Sequence, residues 1–107
     1  MPSTAISTAQ ITTAGNIAYA SIGNSAVTYM TLCNYTASTV TANIYVVPSG
    51  DTIGNTNITV ANLPLEGYAT YQLYGAAEKL LLANGDSIQV SANANSSITT
   101  IVTYTGI

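Results

Sequence analysis

Few residues of this chain could do chemistry. Its 107 residues include four acidic side chains, one basic side chain and no His, Trp or Phe, so 5% of the chain is charged, whereas an ordinary soluble domain is about 25% charged. Thr, Ser and Asn take the other polar positions, and the single cysteine is Cys33. The charged residues are Asp51, Glu66, Glu78, Lys79 and Asp86. Most groups used in acid–base, nucleophilic or metal chemistry are therefore missing.

The residues that are present do not have the spacing of an active site. A glycosidase needs two carboxylates that converge on one bond, but these carboxylates are scattered among turns and one predicted helix. A Ser or Thr nucleophile lacks its usual His base, and Cys33 lies in the middle of a predicted strand with no group to activate its thiol. Zinc lacks His and Cys ligands, and calcium lacks an Asp-rich loop. We expect a non-enzymatic protein without metal or cofactor.

The charge balance also argues against some partners. With a net charge of −3 and one basic residue, the chain cannot neutralise phosphates, so we expect no nucleic acid and no anionic membrane as partner. The first residues lack the pattern of a signal peptide, and no apolar run approaches the about 20 residues that span a membrane. Low charge lowers the solubility of a free monomer. We therefore expect a homo-oligomer or a larger assembly.

Strand-like segments follow one another from residue 16 onward. Thr, Val, Ile and Tyr are frequent in them, and Gly, Asn, Ser, Asp and Pro punctuate the gaps. Alternation of apolar and polar residues predicts one buried face in 39–48 and another in 86–93. The predicted strands are 16–22, 26–35, 39–48, 56–63, 67–74, 86–93 and 97–105. About seven short antiparallel strands predict an all-β sandwich domain over residues 15–107.

Two segments do not fit the strand pattern. Residues 1–14 are small and polar without turn residues, which predicts an extended N-terminal arm that orders against a neighbour. Residues 75–83 contain good helix formers and no β-branched residue, and Asn84 and Gly85 suit a helix C-terminus. We expect one short helix near 75–83, with Leu81 or Leu82 closing an end of the sandwich.

Eight tyrosines are the only aromatic residues of the chain. Tyr combines apolar area with a hydroxyl group and is frequent at interfaces. The tyrosines could fill the core where Phe would serve, contact a partner, or stack on sugar rings. For an interface on the arm and the strands, the candidate residues are Ile6, Ile11, Tyr19, Tyr45, Tyr71 and Tyr74.

Three stretches together resemble small virion structural proteins of tailed bacteriophages. They are NIYVVPSG at 43–50, NLPLEGYATYQL at 62–73, and LLANGDSIQVSANANSSITTIVTYTGI at 81–107. The resemblance covers roughly residues 26–107 and rests on turn motifs. It implies an immunoglobulin-like β domain on a head, neck or tail, and it carries over no catalytic or ligand residue.

Two functions follow as expectations. The first is a capsid decoration or cement protein, made in the host cytoplasm, that binds junctions of the major capsid protein or another virion protein and stabilises the particle. Such a protein needs a rigid module and a large interface but no chemistry. The alternative is an adhesive or carbohydrate-binding β module of a tail fibre or cell surface.

Overall fold

Antiparallel β-sheet makes up the regular structure of the part of the chain that the structure describes. The structure is a computed structural model and describes residues 4–73 and 80–106. Within these residues there are nine strands and no helix. The strands are β1 (Thr4–Gln10), β2 (Asn16–Ala20), β3 (Ser25–Asn34), β4 (Val40–Val47), β5 (Ile58–Leu65), β6 (Thr70–Leu73), β7 (Leu80–Leu82), β8 (Ser87–Ala92) and β9 (Ile98–Gly106). The described part of the chain thus has no helix long and apolar enough to cross a membrane.

The strands form two sheets. Sheet A has the order β1-β9-β3-β6, with β7 paired to β3 beside β6, and sheet B has the order β2-β8-β4-β5. Along β3, β6 pairs with Met30–Cys33 and β7 with Ser25–Val27. Strands β6 and β7 are therefore two parts of one edge of sheet A.

The chain crosses between the sheets at most of its connections. Consecutive strands β1, β2, β3 and β4 alternate between sheets A and B, and β4 and β5 form the single hairpin of sheet B. If β6 and β7 count as one interrupted strand, this is the strand order of a jelly roll. The sandwich expected from the sequence is confirmed. The immunoglobulin-like arrangement is not confirmed. In an immunoglobulin domain the first two strands are neighbours in one sheet, whereas here β1 lies in sheet A and β2 in sheet B.

The core lies between the two sheets and follows the alternation of the strands. Ile88, Val90 and Ala92 of β8 point inward, as the sequence predicts, and so do Val40, Ala42 and Ile44 of β4. Sheet A contributes fully buried side chains from β3 and β9, among them Met30, Leu32, Ile98 and Val102. Burial of these side chains stabilises the sandwich by about 1.5–3 kcal/mol for each large residue.

Each of the seven predicted strands overlaps an observed one, but two strands were not predicted as such. Residues 4–10 of the predicted arm form β1, which pairs with β9 of the same chain over its whole length. Leu80–Leu82, at the end of the predicted helix, form β7, and residues 75–79 of that helix lie outside the described residues. Leu82 closes the core as expected, whereas Leu81 is exposed.

Candidate functional site

The outer face of sheet B is covered by the connection between β4 and β5, residues 48–57. The backbone N–H of Ser49 donates to Asp86 Oδ1 at 2.9 Å, and a Cβ on Gly85 would lie 2.5 Å from Ser49 Oγ. Farther along, a Cβ on Gly15 would lie 3.3 Å from Ile53 Cδ1. Ser87 and Ser91 point outward from β8 but are buried, as expected for a face that a loop covers.

The outer face of sheet A, which we call the open face, is exposed or half-buried at most of its described positions. It consists of the side chains that point away from sheet B on β1, β3, β6, β7 and β9. They lie at the positions that alternate with the buried residues of each strand. The residues of the open face are Ile6, Thr8, Gln10, Ala26, Tyr29, Thr31, Cys33, Thr70, Gln72, Leu81, Thr99, Ile101, Thr103 and Thr105.

The open face carries no charged residue and several exposed apolar ones. Ile6 is 66% exposed, Leu81 67% and Ile101 39%. Thr8 faces Ile101 across the β1–β9 pair, and Thr31 faces Ile101 from the other side, so the isoleucine lies between two threonines. An uncharged surface with apolar side chains loses little hydration when another protein covers it, because no ion has to be desolvated.

A second candidate surface lies at one end of the sandwich, where four connections meet. We call it the loop end: residues 11–15, 35–39, 66–69 and 93–97. Tyr35 donates its backbone N–H to Ser97 O at 3.1 Å, and Thr13 donates its backbone N–H to Asn95 Oδ1 at 2.8 Å. Tyr68 donates its backbone N–H to Thr36 O at 3.0 Å. These bonds tie the four connections to one another.

Asn34 is the buried polar residue that organises the loop end. It is fully buried at the end of β3. Its Nδ2 donates to Ser38 O, Leu65 O and Glu66 O at 2.7, 3.0 and 3.1 Å, and its Oδ1 accepts from the backbone N–H and the hydroxyl of Thr36 at 3.0 and 2.7 Å. One amide therefore fixes the positions of two connections.

Two exposed tyrosines stand on these fixed connections. Tyr35 is 40% exposed, and Gln10 Nε2 donates to its hydroxyl at 2.6 Å. Tyr68 is 72% exposed and has a φ of 61°, which is the left-handed region where bulky residues are rare. A strained, exposed aromatic residue is a candidate contact for a ligand. No sequence pattern indicated the strain, because it arises from the turn at residues 66–69.

The candidate interface residues taken from the sequence fall into different environments. Ile6 is exposed on the open face, and Tyr45 is half-buried on the outer face of sheet B, beside Gln89. Tyr71 is partly buried and packs against the core, and Tyr74 lies outside the described residues. The structure does not bring these side chains together into one patch.

The other two candidates are core residues of the single chain. Ile11 is fully buried and donates its backbone N–H to Ile98 O at 2.9 Å. Tyr19 is buried, stacks on Tyr104 with ring centroids 4.1 Å apart, and donates its hydroxyl to Ser25 Oγ at 2.9 Å. Some tyrosines therefore fill the core, as one of the three interpretations of the sequence expects.

The described carboxylates lie in connections between strands. Asp51 belongs to the segment over sheet B, Glu66 to the loop end, and Asp86 to the turn between β7 and β8. Asp86 accepts backbone N–H groups from Ser49 and Ala83, each at 2.9 Å, and thus holds two connections in place. Residues 4–73 and 80–106 contain neither a pocket nor a cluster of three or more possible metal ligands.

Sequence reasoning missed three exposed residues of these two surfaces, Leu81, Ile101 and Tyr68. The sequence analysis assigned a buried face only to 39–48 and 86–93, and alternation does not show whether a loop covers the opposite side of a strand. We compared the chain with protein-family models, with curated proteins and with solved structures, and nothing matched.

Proposed function

We propose that this chain is a non-enzymatic structural subunit of a virion, most specifically a capsid decoration or cement protein that binds its neighbours through the open face. The observation that carries the proposal is the composition of that face. It is uncharged, and it exposes Ile6, Leu81 and Ile101. A protein interface is depleted in charged residues at its centre, and none of the residues named for the open face is charged.

Two further points support the proposal. Jelly rolls are frequent in viral capsid proteins, although a fold by itself does not assign a function. The turn motifs at 43–50 and 81–86 resemble those of small phage virion proteins. A subunit present in many copies needs a rigid module, and the Asn34 and Asp86 hydrogen bonds hold the connections of this one in fixed positions.

The test of this proposal is binding to particles. The chain should be found by mass spectrometry in purified virions in stoichiometric amounts, and purified chain should rebind particles that lack it. Ile101→Glu places a charge at the centre of the open face and should abolish rebinding. Ala61→Glu places the same charge on β5 of sheet B, where Ala61 is exposed, and should rebind normally.

Two outcomes would contradict the proposal. Purified particles could lack the chain altogether, or Ile101→Glu could rebind as well as Ala61→Glu does. Both variants must first show the sheet signal of the unmodified chain in circular dichroism, so that a loss of binding is not a loss of folding.

The loop end favours a second candidate function, carbohydrate binding. Jelly rolls are also the fold of lectin domains, and the exposed rings of Tyr35 and Tyr68 offer surfaces on which a sugar ring can stack. A glycan array tests this function. Specific binding that Tyr68→Ala removes and Ile101→Glu leaves intact would support it, and an array without specific binding would exclude it for the glycans on the array.

A further inference from the structure

Strand β1 forms an outer edge of sheet A, and an edge strand offers unpaired backbone groups to another chain. Natural proteins protect such edges with charges, proline, bulges or short strands. The four edges of this sandwich, taken over residues 4–73 and 80–106, differ in how they are protected. The difference singles out β1.

Three edges carry protection. Strand β2 has a bulge between Ile17 and Tyr19, and β5 has two register irregularities and contains Pro64. The third edge is divided into the short strands β6 and β7. Strand β1 has none of these devices: it pairs with β9 over seven consecutive residues without a register shift, and its sequence TAISTAQ contains no charge and no proline.

The hydrogen bonds of neighbouring residues show which backbone groups of β1 point outward. Ile11 directs its N–H to Ile98 O in β9. Because successive residues of a strand direct these groups to opposite sides, Ala9 and Ser7 also face β9. The N–H and C=O groups of Ile6, Thr8 and Gln10 therefore point away from sheet A, at the free edge.

The sequence of β1 is compatible with pairing to itself. When two antiparallel copies are centred on Ser7, Ile6 of one copy faces Thr8 of the other, and Thr4 faces Gln10. Ser7 faces Ser7. Each Ile6–Thr8 pair exchanges two backbone hydrogen bonds, and an isoleucine opposite a threonine is a favourable cross-strand pair. No charge lies on the strand, so two copies meet without electrostatic repulsion.

We infer that two copies of this chain associate through their β1 edges, antiparallel and centred on Ser7, and join their A sheets into one continuous sheet. The association is isologous, as in most homodimers. The two open faces then lie side by side on the same surface of the dimer and form one extended uncharged area. The inference deepens the proposed function, since it doubles the surface on which that function rests, but it concerns the isolated chain and is tested without particles.

The oligomeric state of the purified full-length chain is the first test. Sedimentation velocity over micromolar to sub-millimolar concentrations should show a monomer–dimer equilibrium. Thr8→Lys places two lysines diagonally across the pair, where like charges repel, and should raise the dissociation constant about tenfold or more. Thr59→Lys makes the same change at an exposed position of the protected edge strand β5 and should leave the constant unchanged.

A cysteine placed at Ser7 tests the register. Since the backbone groups of Ser7 face β9, the two copies of Ser7 form a non-hydrogen-bonded pair with Cα atoms about 4.5 Å apart, which is within disulfide range. In a Cys33→Ser background, Ser7→Cys should therefore form a covalent dimer under a mild oxidant. Thr8→Cys in the same background places its thiols diagonally, about 7–8 Å apart, and should form much less.

Three results would overturn the inference: a monomer at all concentrations, a dimer that Thr8→Lys leaves intact, or equal cross-linking at positions 7 and 8. If the chain were a monomer at all concentrations, the free edge of β1 would be open to a strand of another protein instead of a second copy. Each of these results can occur while the chain still binds particles through the open face, so failure of the dimer and failure of the proposed function are separate outcomes.

Discussion

Asn34→Asp is the sharpest test of how the loop end is held together. The substitution keeps the shape of the side chain and replaces an NH₂ group with an oxygen. In the structure that NH₂ group donates to three carbonyl oxygens, those of Ser38, Leu65 and Glu66, from a fully buried position. A carboxylate at this position would direct an anionic oxygen at three acceptors.

The cost depends on the protonation of the new carboxyl group. The neutral acid keeps one donor and loses the other, which costs about 1–2 kcal/mol. Burial and the three carbonyl oxygens disfavour the ionised form, so the pKa of the introduced carboxyl should rise above its unfolded value of about 3.9. A rise of about two units adds about 2.7 kcal/mol at neutral pH, for a total of about 4 kcal/mol and a Tm lower by roughly 15–25 °C.

The sign of the pH dependence follows from proton binding. Because the folded variant holds its proton more tightly than the unfolded chain, the variant is closest to the unmodified protein below about pH 3.9. Its stability relative to the unmodified protein falls as the pH rises from about 3.9 through the raised pKa, and this difference is constant at higher pH. Thermal unfolding followed by circular dichroism at several pH values measures this difference.

Asn55→Asp is the matched control, since Asn55 is exposed and the change in charge is the same. If Asn34→Asp lost no more stability between acidic and neutral pH than Asn55→Asp, the buried hydrogen-bond arrangement around Asn34 would be refuted.

Three other substitutions test single features of the fold, each by thermal unfolding. Thr100→Val should stabilise the protein by about 1–2 kcal/mol, because the Thr100 hydroxyl is the buried side-chain polar atom without a hydrogen-bond partner among the described residues. Thr99→Val, on the open face, should leave the stability unchanged. An equal gain in stability from both substitutions would contradict the reasoning. Gly67→Ala should destabilise the protein by more than about 2 kcal/mol, since the new Cβ would lie 2.3 Å from the backbone oxygen of Ala37. Gly54→Ala is the control that should be tolerated, since no atom lies within 4 Å of its new Cβ. Tyr68→Gly should change stability by less than about 1 kcal/mol, because relief of the positive φ is offset by the greater freedom of glycine in the unfolded chain. A loss of more than about 2 kcal/mol would show that the ring makes contacts that outweigh the strain.

The sequence predicted the strands whose signal is local. In β4 and β8 apolar residues alternate with polar ones, and turn residues flank both strands. The predicted secondary structure and the predicted buried face of these two strands were therefore correct. Strand β1 lacks that signal, since its seven residues include one large apolar side chain, Ile6. It is a strand because it pairs with β9, about ninety residues away. Such a pairing has no local pattern, so the segment was interpreted as an arm.

The predicted helix shows tertiary pairing overriding local propensity. Three consecutive leucines are good helix formers, yet Leu80–Leu82 pair with Ser25–Val27 at an edge of sheet A. Leu82 enters the core from this strand, which satisfies the same burial requirement that a helix would have met. The jelly-roll order has the same origin: period 2 specifies which side of each strand is buried, but not which strand is its neighbour.

The position of the charges connects the sequence with the candidate site. The described carboxylates Asp51, Glu66 and Asp86 lie in connections, and Asp86 is engaged by two backbone N–H groups. None of the residues named for the open face is charged, and neither is any residue of β1, although the chain has a net charge of −3. An edge strand without charges is a hazard for a protein that must stay monomeric. The other edges of the same sandwich are protected, so the unprotected state of β1 is best explained by a role in association.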